Sequence, residues 1–151
     1  MKPIRIALIG VNRYSHSVQI HTRIQQLSDL FEVVGIAFPE DEEVRIPHFA
    51  EKFTHLPRLT VEQIMNDPTI EAVAVETDEI YCTKYALMAA KAGKHVHMEK
   101  PGGRELADFE ELIATVTALG NQLCDMENAT IYFILGLICP PLNSIFVYQC
   151  R

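Results

Sequence analysis

At 151 residues, 48% hydrophobic and 22% charged, the chain has the composition of one soluble globular domain, long enough to bury a core without disulfide or metal support. Its net charge of −7 argues against nucleic acid and anionic membranes as main partners. Cys82, Cys124, Cys139 and Cys150 form no CxxC pair and no zinc-type spacing with the histidines, so reduced thiols in a cytoplasmic protein, and no metal site, are expected.

Residues 3–9 are branched and apolar and run into Gly10, the pattern of a buried parallel strand followed by a turn. The apolar run 6–11 is too short for a signal peptide. Ile20, Ile24, Leu27 and Phe31 then recur at spacings of four, three and four, which predicts a helix. Residues 32–38 form a second apolar strand stopped by Pro39, completing a strand–helix–strand unit. The acidic run Glu40-Asp41-Glu42-Glu43 reads as a solvated loop. A short helix is expected within 47–55 and a weak edge segment at 56–59. Thr60 and Gln63 carry the spacing of a capping box for a helix that ends near Asp67-Pro68.

Residues 70–76 make a third strand. Asp78 is placed as the N-cap of a helix over 79–92 that stops at Gly93. Residues 95–98 make a fourth strand, broken by Glu99-Lys100-Pro101. A last helix over 104–119 carries Leu106, Phe109, Leu112, Ile113, Val116 and Leu119 on one face, and residues 122–124 can begin one more strand. This alternation predicts a doubly wound parallel sheet, a Rossmann-like three-layer α/β/α domain over residues 1–125. Its ligand edge is the carboxyl end of the strands, where Gly10, Thr77 with Asp78, and Glu99-Lys100-Pro101 all fall.

The turn Gly10-Val11-Asn12-Arg13-Tyr14-Ser15 stands where Gly-x-Gly-x-x-Gly belongs in a dinucleotide site, and it keeps only the first glycine. Asn12 tolerates positive φ but carries a side chain where a pyrophosphate would approach. Ser15 is small enough for close helix–strand packing, and the following helix start offers free N–H groups. The acid expected at the end of the second strand, which holds ribose hydroxyls in NAD sites, is replaced by Phe38 and Pro39. Glu40 and Asp41 come two and three residues late, and no nearby arginine stands in for the acid. His16 reads as a half-exposed residue at a helix start. His95 and His97 share one strand face, opposite Val96 and Met98, with no third metal ligand beside them.

Ala92-Gly93-Lys94-His95-Val96 with Glu99-Lys100-Pro101 resembles a hallmark run of the glucose–fructose oxidoreductase and inositol dehydrogenase (Gfo/Idh/MocA) family, eight residues agreeing over a ten-residue span. The resemblance covers roughly residues 3–124. It implies an NAD- or NADP-dependent oxidoreductase, NAD slightly preferred, acting on a sugar, polyol or similar hydroxyl-bearing carbon. It implies Lys100 as the catalytic lysine beside nicotinamide and substrate, Glu99 near the nicotinamide ribose, and a cis Lys100–Pro101 peptide. With the turn, the expected cofactor set is Gly10, Asn12, Arg13, Tyr14, Ser15, Thr77, Asp78, Glu99, Lys100 and Pro101. Asp78 and Glu79 depart from the family's usual Pro-Asn, and Cys82 stands where many relatives have histidine.

Family members continue into a second α+β domain that builds the substrate pocket, and residues 126–151 do not resemble it, so little turnover is expected of these 151 residues alone. The apolar stretch 126–151 has three readings: a hairpin around Pro140-Pro141, a membrane segment disfavoured by that Pro pair, or, preferred, a tail unrelated to the family. Exposed, such a tail would serve a homo-oligomer or a partner protein. The competing functional reading is a non-catalytic nucleotide-sensing or scaffold domain.

Overall fold

The computed structural model describes residues 2–100, 104–120 and the backbone of 123–125. The apolar tail and Pro101 lie outside the described residues.

Five parallel strands make one sheet: β1 (Ile4–Ile9), β2 (Phe31–Ala37), β3 (Ala72–Val75), β4 (His95–Met98) and β5 (Leu123–Asp125), in the order β2-β1-β3-β4-β5. The longer connecting helices are α1 (Ser17–Gln26), α4 (Val61–Asn66), α5 (Glu79–Lys91) and α6 (Leu106–Leu119); α2 (Glu42–Arg45) and α3 (Pro47–Ala50) are short.

Strand alternation sorts the core into two layers. Ile6, Leu8, Ala72 and Ala74 face one side with Ile24, Phe31 and Phe53. Ala7, Ile9, Val73, Val75, Val96 and Met98 face the other, against Ala86, Ala89 and Ala90 of α5 and Leu112 and Val116 of α6. The small side chains of α5 let it lie close on the sheet. Burying each of the larger aliphatics stabilises by about 1.5–3 kcal/mol.

Several boundaries differ from the sequence expectation. Phe31 does not continue α1: the helix stops at Gln26, and the N–H groups of Leu30 and Phe31 both donate to the Leu27 carbonyl, turning the chain into β2. The 40–46 segment is not a solvated loop. Glu40 and Asp41 take φ of +57° and launch α2, whose first residue, Glu42, is fully buried. The apolar face of α6 is buried only in its middle; Leu106 and Leu119 at its two ends are exposed. Thr60 and Gln63 do close a capping box, with Gln63 N–H to Thr60 Oγ1 at 3.0 Å and Thr60 N–H to Gln63 Oε1 at 2.7 Å. The edge segment at 56–59 forms a single bridge, Arg58 to Ile36. Among the described residues no helix is long and apolar enough to cross a membrane.

Candidate functional site

The strand order reverses direction between β1 and β3, so the crevice of the sheet opens where Gly10 and Thr77 meet. Gly10 takes φ +83°, and a Cβ there would lie 2.4 Å from the Thr77 Cβ. Only glycine fits both the backbone and the space.

The turn after Gly10 is tied together by its own polar groups. The Gly10 N–H donates to Ala37 O, and the Ser15 N–H to Asn12 O. Asn12 N–H reaches Ser15 Oγ at 3.3 Å, Tyr14 N–H reaches Asn12 Oδ1 at 2.7 Å, and Ser17 N–H reaches Ser15 Oγ at 3.3 Å. The Asn12 amide donates across the crevice to Thr77 O at 2.6 Å. Asn12 does not take the positive φ its residue type allows; its side chain instead braces the turn against the segment that follows β3.

Four residues beyond Phe38 an acid folds back into this corner, beneath the cleft and not in its lining. Glu42 is 0% exposed, accepts the Val11 N–H at 3.0 Å, and accepts the Thr77 hydroxyl. Burial pushes its carboxyl up to about 7, against the lowering effect of those two bonds. Spacing from β2 points to Glu40 and Asp41, and the acid that folds back is Glu42. The signal was the length of the detour through φ +57°, which spacing from β2 does not reveal. Glu40 instead accepts from Lys84 and Tyr85.

Asp78 stands at the N-cap of α5 but makes no side-chain cap; its carboxylate pairs with Arg45 at 2.8 Å. The expectation that Asp78 caps the helix is corrected on that ground: the guanidinium outcompetes the helix N–H groups. An arginine does stand near the end of β2, outside the lining of the cleft. The Arg58 guanidinium stacks over the Phe38 ring at 4.3 Å, while pairing with Glu43.

On the β4 side, Glu99 bridges to the start of α1. Its Oε2 accepts the His16 N–H at 2.8 Å and contacts His16 Nδ1 at 2.7 Å, and its Oε1 accepts the Lys100 N–H at 2.9 Å. Burial pushes this carboxyl up, but the His16 and Lys100 bonds outweigh it and hold Glu99 below its ordinary value. His16 is thus a partner of Glu99 and more than a surface residue at a helix start. Val96 and Met98 face the α5–α6 layer as expected, and His97 is buried on the opposite side. No group of three metal-ligating side chains occurs among the described residues.

A cleft of about 410 Å³ opens above these contacts, lined by Asn12, Tyr14, Ser15, Thr77, Asp78, Glu79, Ile80, Cys82, Glu99 and Lys100. Seven of the expected site residues line it: Asn12, Tyr14, Ser15, Thr77, Asp78, Glu99 and Lys100. Gly10 lies beneath as the hinge of the turn, and Arg13 is exposed beside the cleft without lining it. Glu79, Ile80 and Cys82 were not anticipated as lining; they follow from Asp78, because the first turn of α5 borders the crevice.

Strand order, turn and cleft together define a nucleotide-binding α/β domain of the Rossmann type. The oxidoreductase family model Gfo/Idh/MocA, NAD-binding Rossmann fold, matches residues 4–125, and the chain belongs to this family. It is 36% identical over 61 residues to 1,5-anhydro-D-fructose reductase of Ensifer adhaerens, covering 40% of this chain and 18% of that one. It is 31% identical over 94 residues to the NADP(+) scyllo-inositol 2-dehydrogenase of Bacillus subtilis, covering 62% of this chain and 25% of the relative. The chain thus spans a quarter or less of the length of these relatives. Among solved structures, the biliverdin reductase of Synechocystis in complex with biliverdin and NADP+ shares the fold, with a TM-score of 0.67 at 22% identity over 82% of this chain and 38% of that one.

Proposed function

We propose that this chain is the dinucleotide-holding part of an oxidoreductase that moves a hydride between a nicotinamide and a sugar, polyol or similar hydroxyl-bearing carbon. The observation that carries the reading is convergence: Asn12, Ser15, Thr77, Glu99 and Lys100, from the ends of three strands, line one cleft. The names of the two curated relatives, both acting on sugar-like or polyol molecules, support the substrate class.

The residues fit such a cofactor in two respects. Gly10 lets the turn sit directly against the end of β3, and the N-terminus of α1 points its positive end at the crevice. Bound there, a nicotinamide supplies the hydride donor or acceptor. The chain's own residues do the rest. Asn12 and Ser15 shape the phosphate turn, Glu99 fixes the Lys100 backbone, and Lys100 at the cleft holds the proton of the reacting hydroxyl. Neither Arg58, paired with Glu43, nor the buried Glu42 lines the cleft, so the titration below decides between NAD and NADP. A cytoplasmic setting is part of this reading; Cys82 is buried, its thiol donating to Thr77 O at 3.4 Å.

Titration of NADH and NADPH into the purified chain, followed by nicotinamide fluorescence, tests the reading. Saturable binding that Ser15→Asp abolishes and Lys100→Ala retains is the expected result. Absence of binding of either nucleotide at millimolar concentration overturns it. A second reading, a sensing or scaffold domain, draws support from the internal contacts of the turn, where Glu42 and Glu99 already hold two of its N–H groups. That reading is favoured if binding is saturable but the full-length protein shows no turnover with any polyol.

A further inference from the structure

Glu76, the residue after β3, is 1% exposed, and neither of its carboxylate oxygens receives an aligned hydrogen bond. The His97 ring lies beside it, with Nε2 3.3 Å from Oε1. The β3–β4 register pairs Ala74 with His97 and Val75 with Met98, so the next step along both strands sets Glu76 beside Glu99. The Glu99 N–H donates to Val75 O, which locks that register at the strand ends. Alternation puts Glu76, His97 and Glu99 on the same face of the sheet, toward the start of α1. A carboxylate buried this deeply with a single imidazole beside it is costly to keep ionised, and a second carboxylate at the next register position raises that cost.

We propose that Glu76 and Glu99 form a carboxyl dyad that holds one proton at neutral pH, with Glu99 the ionised member and Glu76 a positioning residue acting as the neutral acid. The Glu76 O–H keeps its proton and donates a hydrogen bond to the Glu99 carboxylate, whose other contacts are the His16 N–H, the His16 ring and the Lys100 N–H. The dyad thereby couples the phosphate turn, through His16, to Lys100. Asn12 also reaches into this corner, its amide lying 3.4 Å from the Glu76 carbonyl. Burial raises Glu76 most; hydrogen bonding and charge from His97 oppose it, and the neighbouring Glu99 adds a smaller upward push. Glu42 and Asp78 belong to the neighbouring contacts of Thr77 and Arg45.

The dyad is a property of the chain by itself, while its role in the cleft rests on the nucleotide reading above. Infrared spectra of ¹³C-glutamate-labelled protein at pH 8, without nucleotide, are expected to show the carbonyl stretch of a protonated carboxylic acid. The band is lost in Glu76→Gln and persists in Glu42→Gln. In Glu99→Gln the titration midpoint of the Glu76 band falls, because the neighbouring charge is gone. A wild-type chain with no such band, a band indifferent to Glu99→Gln, or ¹⁵N-histidine spectra showing His97 doubly protonated at pH 8 each overturns the dyad. In the nucleotide titration, Glu76→Ala weakens NADH binding about tenfold and Glu76→Gln restores it; equal affinity in all three chains overturns the positioning role. If the wild type binds no nucleotide, the proposed function falls, and the infrared result still decides the dyad.

Discussion

Gly10 and Thr77 lie in direct contact across the switch point of the sheet, with no room for a methyl group between them. Gly10→Ala must adopt φ +83° and displace the backbone of Thr77 as well as its side chain. Positive φ costs a non-glycine residue about 1–2 kcal/mol, and overpacking adds about 1–3. The substitution is expected to destabilise by about 2–5 kcal/mol in urea unfolding. An unchanged midpoint would show that the β1–β3 junction is looser than its contacts indicate.

Glu42 gives the fold a pH signature. Its carboxyl titrates near 7 when folded, against an ordinary value near 4.5, so the protonated form is the one the fold prefers. Stability from this group is complete below pH 4.5 and is lost as pH rises through 7. At about 1.4 kcal/mol per unit, the loss approaches about 3 kcal/mol. Glu42→Gln keeps an acceptor for the Val11 N–H and a donor for Thr77, and it cannot ionise. The stability difference between wild type and Glu42→Gln, measured from pH 5 to pH 8, should therefore move in favour of the variant as pH rises. A constant difference across that range would refute the assignment.

Asn12 holds both lips of the crevice. Asn12→Ala removes the amide bond to Thr77 O and the acceptor for the Tyr14 N–H. A loss of about 1–3 kcal/mol is expected in thermal or urea unfolding, with weaker NADH binding in the fluorescence titration. Asn12→Gly should lose the same stability. If either variant matches the wild type in both assays, the brace is not functional.

Thr60→Ala removes half of an exposed capping box. About 1 kcal/mol of destabilisation is expected, with nucleotide binding unaffected because α4 lies away from the cleft. It serves as a control that separates loss of stability from loss of the site.

What could be read from the sequence follows how local each cause is. The box at Thr60, the bounds of β4 and the stop at Gly93 depend on residues within a turn of one another, and each is found as expected. The family run at 92–101 marked the lysine side of the cleft. The misplacements all involve distant partners. Asp78 has the right type and position for a cap, but Arg45, thirty-three residues away, takes its carboxylate. Phe31 fits a helical spacing, but pairing with Ile4 makes it the first residue of β2. Glu42 reads as one more surface acid until the left-handed pair Glu40 and Asp41 folds it back beneath the glycine turn. Glu76 and Glu99 are twenty-three positions apart, and only the strand register sets them side by side.

The self-contained hydrogen bonding of the phosphate turn has a kinetic consequence. An incoming diphosphate meets N–H groups already directed at Asn12, Ser15, Glu42 and Glu99, so capture requires an exchange of partners. The contacts internal to the turn, between Asn12, Tyr14 and Ser15, are the ones that must open, while Glu99 keeps its hold on His16. Observed association should then level off with rising nucleotide concentration at the rate at which those turn contacts open, the behaviour of a protein that opens before it binds.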